Sequence, residues 1–428
     1  MKHLRKGTGR IAVVYGHQVH IRYFGSAPIC ADENITGTAN TRAIPFYNIL
    51  WAELQDDELT IDYASPASKT VVRAATLKYP FERQTLEAVH KWVIKLLDRA
   101  YGESQRMKRT KVLVNPHSGK GSAEKWYYRD VEPLLKAARC PIDMQKTKYN
   151  GEAVEIAEKL DIESFDLVAA CSGDGLPYEV FNGFGKRPDA KKALTKIAVV
   201  NIPCGSGNAM SWNLNGTDSC SLATLAVIKG LPTPLDLISI TQGETRTLSF
   251  LSQSVGIVAE SDLATEHLRW MGGQRFVYGF LVRLWGKALY PCDIAVKVAI
   301  DDKPSIKEHY RRERNNHEPA SERRGYKNLL DDDASASSGN DDALPPLRYG
   351  TVNDKLPEGW ELVPYDKLGN FYCGNVSPPF YPQNIITHSS RWHTWQLILY
   401  SSNPPSPMTA TWIWSASTAT SAVSPPSK

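Results

Sequence analysis

Leu167-Val168-Ala169-Ala170-Cys171-Ser172-Gly173-Asp174-Gly175 is a short apolar run that ends on an aspartate between two glycines. Two other stretches are built the same way. Val112–Val114 leads into Asn115-Pro116-His117-Ser118-Gly119-Lys120-Gly121-Ser122, and Ile197–Val200 leads into Pro203-Cys204-Gly205-Ser206-Gly207-Asn208. A brief apolar run without polar alternation is the pattern of a strand buried on both faces. From 111 to about 240 such runs alternate with helical segments, which predicts an α/β fold with a parallel sheet and helices on its faces. The three glycine turns then meet at the carboxyl edge of that sheet, where open α/β sheets bind ligands.

The residue types in these turns suit phosphate chemistry. Backbone N–H groups at Gly119 and Gly121, with no Cβ in the way, are able to cradle phosphate oxygens at the start of a helix from about Ala123. The stretch is not a Walker A loop, because Val114, not glycine, stands five residues before Gly119. Asp174 is placed to accept a proton from an attacking hydroxyl, and in a loose phosphoryl-transfer transition state its main task is to orient that nucleophile. An isolated Gly-Asp-Gly more often marks a turn whose aspartate caps the next helix. Three glycine loops in series, each after its own apolar strand, favour a nucleotide site instead. Glu179, about one and a half turns into the following helix, reads from the residues alone as a solvated helix position.

Around this centre, residues from about 10 to 80 carry β-rich runs (Ile11–Tyr15, Val19–Phe24, Ile49–Leu54, Leu59–Tyr63, Thr70–Val72) broken by Gly, Asn and Pro. Leu86, Val89, Trp92, Val93, Leu96 and Leu97 then fall at helical spacing between Thr85, an N-cap residue type, and Gly102. Residues 1–104 therefore read as a β-rich N-terminal module closed by one helix, an arrangement that resembles a PH-like domain. Residues 105–245 read as the α/β nucleotide-binding lobe. Strands return at Leu248–Leu251 and Ile294–Ile300, so 246–375 reads as a second, β-rich lobe. Within it, 302–345 has charge runs and no periodicity and is expected to be a disordered insertion. Trp270, Phe276, Tyr278, Phe280, Leu281, Leu284 and Trp285 form an apolar cluster that fits an acyl-chain pocket or a membrane interface, although such clusters are more often core.

Across 428 residues, 42% hydrophobic and 22% charged, no apolar stretch has the length of a bilayer span. A basic start, Met1-Lys2-His3-Leu4-Arg5-Lys6, is followed by no apolar signal core, which predicts a cytoplasmic location. Seven cysteines with no C-x-x-C pair fit free thiols and no structural metal. A net charge of +4 is too small to imply a nucleic-acid partner.

NPHSGKG, SGDGLPYEVFNG and PCGSGNA, in this order and spacing, resemble the diacylglycerol-kinase-type catalytic fold, and within it the sphingosine kinase (long-chain-base kinase) family. The resemblance runs from about 105 to 300 and resumes near 358–375. It implies ATP and Mg²⁺ as cofactors and transfer of the γ-phosphate to the primary hydroxyl of a sphingoid base, with peripheral association to intracellular or plasma membranes. By position it assigns Asn115, Ser118, Gly119, Lys120, Gly121, Thr147, Ser172, Gly173, Glu179, Gly205, Ser206 and Gly207 to the nucleotide, and Asp174 to catalysis. It assigns Asp262, in Gly256–Asp262, to the amino group of the lipid, and Arg269 and Arg275 to the ATP phosphates. Judged alone, Asp262 also suits the N-cap of a helix over Leu263–Trp270. A carboxylate there would select a cationic sphingoid base over ceramide or diacylglycerol. The alternatives are a kinase for those uncharged lipids, or an inactive lipid-binding relative.

Relatives continue after a segment like Phe371–Asn375 with further strands and an acidic-glycine motif, whereas 376–428 is Ser/Thr/Pro/Trp text without periodicity, expected to be a disordered tail. Val376-Ser377 is encodable as a splice-donor sequence, and Arg391 as AGA, whose first two bases suit an intron end. The interval is not divisible by three. Beyond it, the shifted frame yields DGYMD, both of whose aspartates are forced by the codons of Met408-Thr409 and Trp412-Ile413. The expectation is a translated intron followed by frameshifted sequence, leaving the second lobe incomplete.

Overall fold

The structure, a computed structural model, describes residues 10–15, 18–23, 41–242, 245–296, 300–315, 342–345, 347, 354–356, 358–374, 397–401, 411–412 and 417–424. Three strands, β1 (Arg10–Tyr15), β2 (Gln18–Tyr23) and β3 (Thr41–Pro45), form an antiparallel sheet in that order. Strands β4 (Ile49–Gln55), β5 (Glu58–Pro66) and β6 (Val72–Pro80) form a second one. Helix α1 (Leu86–Tyr101) follows and buries Val89, Val93, Leu96 and Leu97 on one face. Thr85 stands at its N-cap position, but the hydroxyl donates to the carbonyl of Glu82 and not to a helix amide. Gly102 closes the helix at φ 54°, the left-handed region that glycine enters without a Cβ penalty.

The parallel sheet is built from β7 (Thr110–Val114), β8 (Ile142–Lys146), β9 (Leu167–Ser172) and β10 (Ala198–Pro203), in the order β8-β7-β9-β10. Every residue of β7, β9 and β10 is buried, as continuous apolar runs require. The crossovers run through α2 (Ala123–Trp126), which passes through a π-turn at Tyr127–Val131 into α3 (Glu132–Ala137), then α4 (Glu152–Glu158), α5 (Gly175–Gly185) and α6 (Ala190–Lys196). After β10 come α7 (Ala209–Asn215) and α8 (Cys220–Lys229). One apolar core joins this sheet to β4–β6 and α1, with Ile49, Ile61, Leu96, Val112, Ala170, Val199 and Phe250 in the same cluster.

Strands return earlier than the sequence pattern indicates. The hairpin β11 (Leu231–Gln242) and β12 (Thr245–Ser249) begins directly after α8. Strand β13 (Ser252–Gly256) leads into α9 (Ile257–Leu263), a 3₁₀ segment (Glu266–Met271), α10 (Gln274–Trp285) and β14 (Cys292–Val296). Part of the expected disordered insertion is helical. In α11 (Lys303–Asn315) the first turn is capped by Asp302, whose carboxylate accepts from the Ser305 amide at 2.8 Å. Residues 316–341 of that segment lie outside the described residues. Strand β15 (Glu361–Tyr365) pairs with β14, and β16 (Asn370–Gly374) pairs with β13.

Within the expected unstructured tail, three segments are strands: β17 (Leu397–Ser401), β18 (Thr411–Trp412) and β19 (Ser417–Ser424). Strand β19 lies between β10, parallel to it, and β11, antiparallel to it, so it links the parallel sheet to the antiparallel strands. Its sequence, Ser-Thr-Ala-Thr-Ser-Ala-Val-Ser, lacks the apolar alternation that marks a strand by pattern. Sheet hydrogen bonding from both neighbours supplies what the side chains do not advertise.

Candidate active site

The three glycine loops leave β7, β9 and β10 side by side and interlock. A Cβ on Gly205 would fall 2.2 Å from the Cα of Gly173, and one on Gly173 would fall 2.8 Å from the carbonyl oxygen of Gly207. A Cβ on Gly119, where φ is +60°, would meet the Cys204 carbonyl at 2.8 Å. Polar contacts tie the same loops together. Ser118 Oγ accepts from the Gly173 amide at 3.1 Å, joining the first loop to the second. Asn115 Oδ1 accepts from the His117 amide, and Asn208 Oδ1 accepts from the Gly205 amide, so two asparagines shape their own turns. Among the described residues no hydrogen bond engages the amides of Gly119, Lys120, Ser206 and Gly207. Such unengaged amides on adjoining glycine turns are the donors that phosphate oxygens take.

Asp174 sits at the junction. Its Oδ2 accepts from the Ala209 amide and its Oδ1 from the Met210 amide, each at 2.9 Å. It is a helix-capping aspartate after all, but the helix is α7, after the third loop, and not its own α5. Burial raises the Asp174 carboxyl above its ordinary value, and the two backbone N–H bonds oppose that rise. The carboxylate is thus held in one orientation and is a better base than a solvated one.

The other assigned residues divide into groups. Ser172 is buried and its hydroxyl donates to the Gly173 carbonyl at 2.8 Å. Thr147, buried at the end of β8, donates from its amide to the Val114 carbonyl at 2.9 Å. Glu179 is half-buried, not solvated. Its Oε2 accepts from the Gly151 and Ala153 amides at 3.1 and 3.2 Å, so it caps α4 from α5, and burial raises its pKa. Asp262 lies near the end of α9, whose N-cap is Gly256, so it caps no helix over Leu263–Trp270. Its Oδ1 is ion-paired with Arg275 Nη2 at 2.5 Å. Arg275 is 7% exposed and also donates to the Asp262 carbonyl at 3.0 Å. The side chain of Arg269 lies outside the described residues.

The apolar cluster is not core. Trp270, Tyr278, Phe280, Leu281, Leu284 and Trp285 are exposed, Trp285 by 91%. Helix α10 packs on α9 through Arg275 and Gly279 instead, where a Cβ on Gly279 would lie 2.7 Å from the Ser261 carbonyl. That small residue brings the helices close and turns the apolar side outward. Sequence reasoning missed one buried polar residue at the site, Asn201 of β10, which donates to the carbonyls of Ser172 and Gly173. An asparagine inside an otherwise apolar strand was the signal available.

The parallel sheet with its three glycine loops defines a catalytic domain of the diacylglycerol kinase type, and the diacylglycerol kinase catalytic domain matches residues 109–240. A domain of unknown function (DUF7493) matches residues 23–102. The chain is 42% identical to sphingoid long chain base kinase 5 of Saccharomyces cerevisiae, over 59% of this chain and 38% of that one. It is 34% identical to sphingoid long chain base kinase 4 of Schizosaccharomyces pombe, over 70% of this chain and 64% of that one. The chain thus spans less than two thirds of the length of either relative. A solved diacylglycerol kinase from Bacillus anthracis is 18% identical, with a TM-score of 0.35, over 46% of this chain and 60% of that chain. The chain is thus similar to sphingoid long chain base kinases over part of their length, and the matched catalytic domain lies within that part.

Proposed function

We propose that this protein transfers the γ-phosphate of ATP to the primary hydroxyl of a sphingoid long-chain base such as sphinganine, phytosphingosine or sphingosine, giving the 1-phosphate. The observation that carries the reading is the placement of Asp174, half-buried and fixed where three glycine loops meet beside unengaged amides of Gly119, Lys120, Ser206 and Gly207. Those amides would hold the phosphates of ATP, and Asp174 would orient the acceptor hydroxyl for in-line attack and take its proton. Mg²⁺ accompanying the nucleotide supplies further neutralisation of phosphate charge. Asp262 is proposed to receive the lipid ammonium on the side that Arg275 leaves open, its side chain being 57% exposed. An uncharged lipid offers this carboxylate no opposite charge.

The substrate resides in membranes. Among the described residues no helix is long and apolar enough to cross one. The outward apolar side of α10 supports a peripheral, reversible association with them. Pelleting with anionic liposomes checks this, and failure to bind at any salt concentration counts against it. The activity itself is tested by label transfer from γ-labelled ATP to sphinganine, with Asp174→Asn as control. Transfer that the control loses supports the reading, and no transfer by demonstrably folded protein overturns it.

A further inference from the structure

Asn201 breaks the pattern of its strand. It lies in the all-buried β10 between Val199, Val200 and Ile202, is 1% exposed, and its Oδ1 has no hydrogen-bond donor among the described residues. A buried acceptor without a donor costs stability, and a β-branched apolar residue would suit this position better. A local rule broken in a core strand beside a ligand edge is where function is to be sought.

What Asn201 does with its other end is specific. Nδ2 donates to the carbonyls of Ser172 and Gly173 at 3.2 and 3.1 Å, gripping the turn that carries Asp174 from the neighbouring strand. The opposite amide orientation would set an oxygen against two carbonyls, so the donor assignment is fixed by its surroundings. Asp174 in turn holds the Ala209 and Met210 amides at the start of α7. At the far end of α7, Asn215 Nδ2 reaches back to the carbonyl oxygen of Asn201 at 3.4 Å. The contacts close a ring from Asn201 through the Asp174 turn and along α7 back to Asn201.

We infer that Asn201 is a positioning residue that fixes the Asp174 turn against α7, and so sets where Asp174 holds the acceptor hydroxyl. The catalytic half of this statement rests on the proposed kinase reading; the mechanical half does not. Ser172 O also accepts from the Cys204 amide at 3.0 Å, and Gly173 O accepts from the Ser172 hydroxyl, so both carbonyls keep a partner when Asn201 is replaced. Loss of the asparagine is therefore expected to loosen the turn without orphaning it and to leave the variant folded.

The test uses the full chain with Asn201→Val and Asn201→Asp. Valine removes the two donor contacts and the orphan oxygen together, while aspartate keeps the shape and opposes oxygen to the two carbonyls. Asn201→Val is expected to keep or raise the thermal midpoint while hydrogen exchange at the Ala209 and Met210 amides accelerates about tenfold or more. Its kcat with sphinganine falls on the order of 10- to 100-fold, with KM for the lipid unchanged. Asn201→Asp moves exchange and kcat further in the same direction. Unchanged exchange in Asn201→Val overturns the inference, and so does unchanged kcat in an active enzyme. A wild-type chain that phosphorylates no sphingoid base removes the kinase reading, and the exchange result then decides the mechanical link alone.

Discussion

Two carboxylates face the proposed chemistry from opposite kinds of surroundings. Asp174 is held at the N-terminus of α7 by two backbone amides, while Asp262, near the C-terminal end of α9, is held by one arginine and keeps a wet side. Backbone amides carry partial charge and cannot leave, so Asp174 is fixed and partly desolvated. An ion pair can be shared, so Asp262 is able to admit a second cation without losing the first. The difference separates a group suited to orienting a reacting atom from one suited to recognising a charged head group.

Replacing the fixed carboxylate tests that contrast most severely. Asp174→Asn is expected to lower kcat on the order of 10²- to 10⁴-fold, because the amide neither accepts the proton nor matches both helix amides. Retained kcat would make Asp174 a cap and nothing more. Asp262→Asn is expected to raise KM for sphinganine roughly 10- to 100-fold, the worth of one hydrogen bond to a charged group, with KM for ATP unaffected. Equal KM values in mutant and wild type would point to an uncharged acceptor lipid and erase the distinction.

The acid limb of the rate profile sharpens it further. Asp174 must be ionised to act, and burial raises its pKa, so kcat is expected to fall as pH drops through that raised value. Its contribution to stability has the opposite sense: present in full below the unfolded-state pKa and lost as pH rises through the folded one. An acid limb no higher than that of an ordinary solvated carboxylate would argue against a partly desolvated base.

A smaller effect comes from two lysines inside the core. Lys108 and Lys229 are both almost fully buried. Burial moves Lys108 down to about 8, and Lys229 well below the usual lysine range. For a lysine whose folded pKa is depressed, the stabilisation is present above the unfolded pKa and lost as pH falls through the folded one. The thermal midpoint of the wild type is thus expected to rise between pH 8 and 10.5, and Lys108→Met to flatten that rise. An unaltered slope would mean the ammonium is better solvated than its contacts imply.

Much of the parallel sheet was legible because β7, β9 and β10 are buried on both faces, which leaves no choice but continuous apolar runs. The glycines were legible for a related reason, since only glycine permits turns to approach as closely as Gly173 and Gly205 do. Partnerships across loops were not. The grip of Asp174 on α7, of Glu179 on α4 and of Arg275 on Asp262 joins residues 35, 28 and 13 positions apart, and no local pattern encodes them. The outward side of α10 stayed undecided between interface and core because apolar spacing tells which residues share a face but not whether Gly279 on the opposite face makes the tighter contact. In the tail, strand pairing of β19 speaks to neither reading frame nor splicing, and we propose the retained interval as a question for the transcript. Sequencing across the Val376–Arg391 codons is expected to find a spliced form, and peptides mapping only to the present frame would end the idea.

One set of contacts bears on how separable the parts of the molecule are. The C-terminal turns of α1 and α8 are capped by each other's neighbours. Lys229, the last residue of α8, donates to the carbonyls of Ala100 in α1 and of Ile49, and Lys108, just past α1, donates to those of Val227 and Ile228 at 3.2 and 2.7 Å. Neither helix end is complete without a residue from the other side of the chain. Exchanging β4–β6 and α1 for another domain would remove both backbone acceptors of the buried Lys229 amine, so the two parts are not interchangeable modules joined by a simple linker.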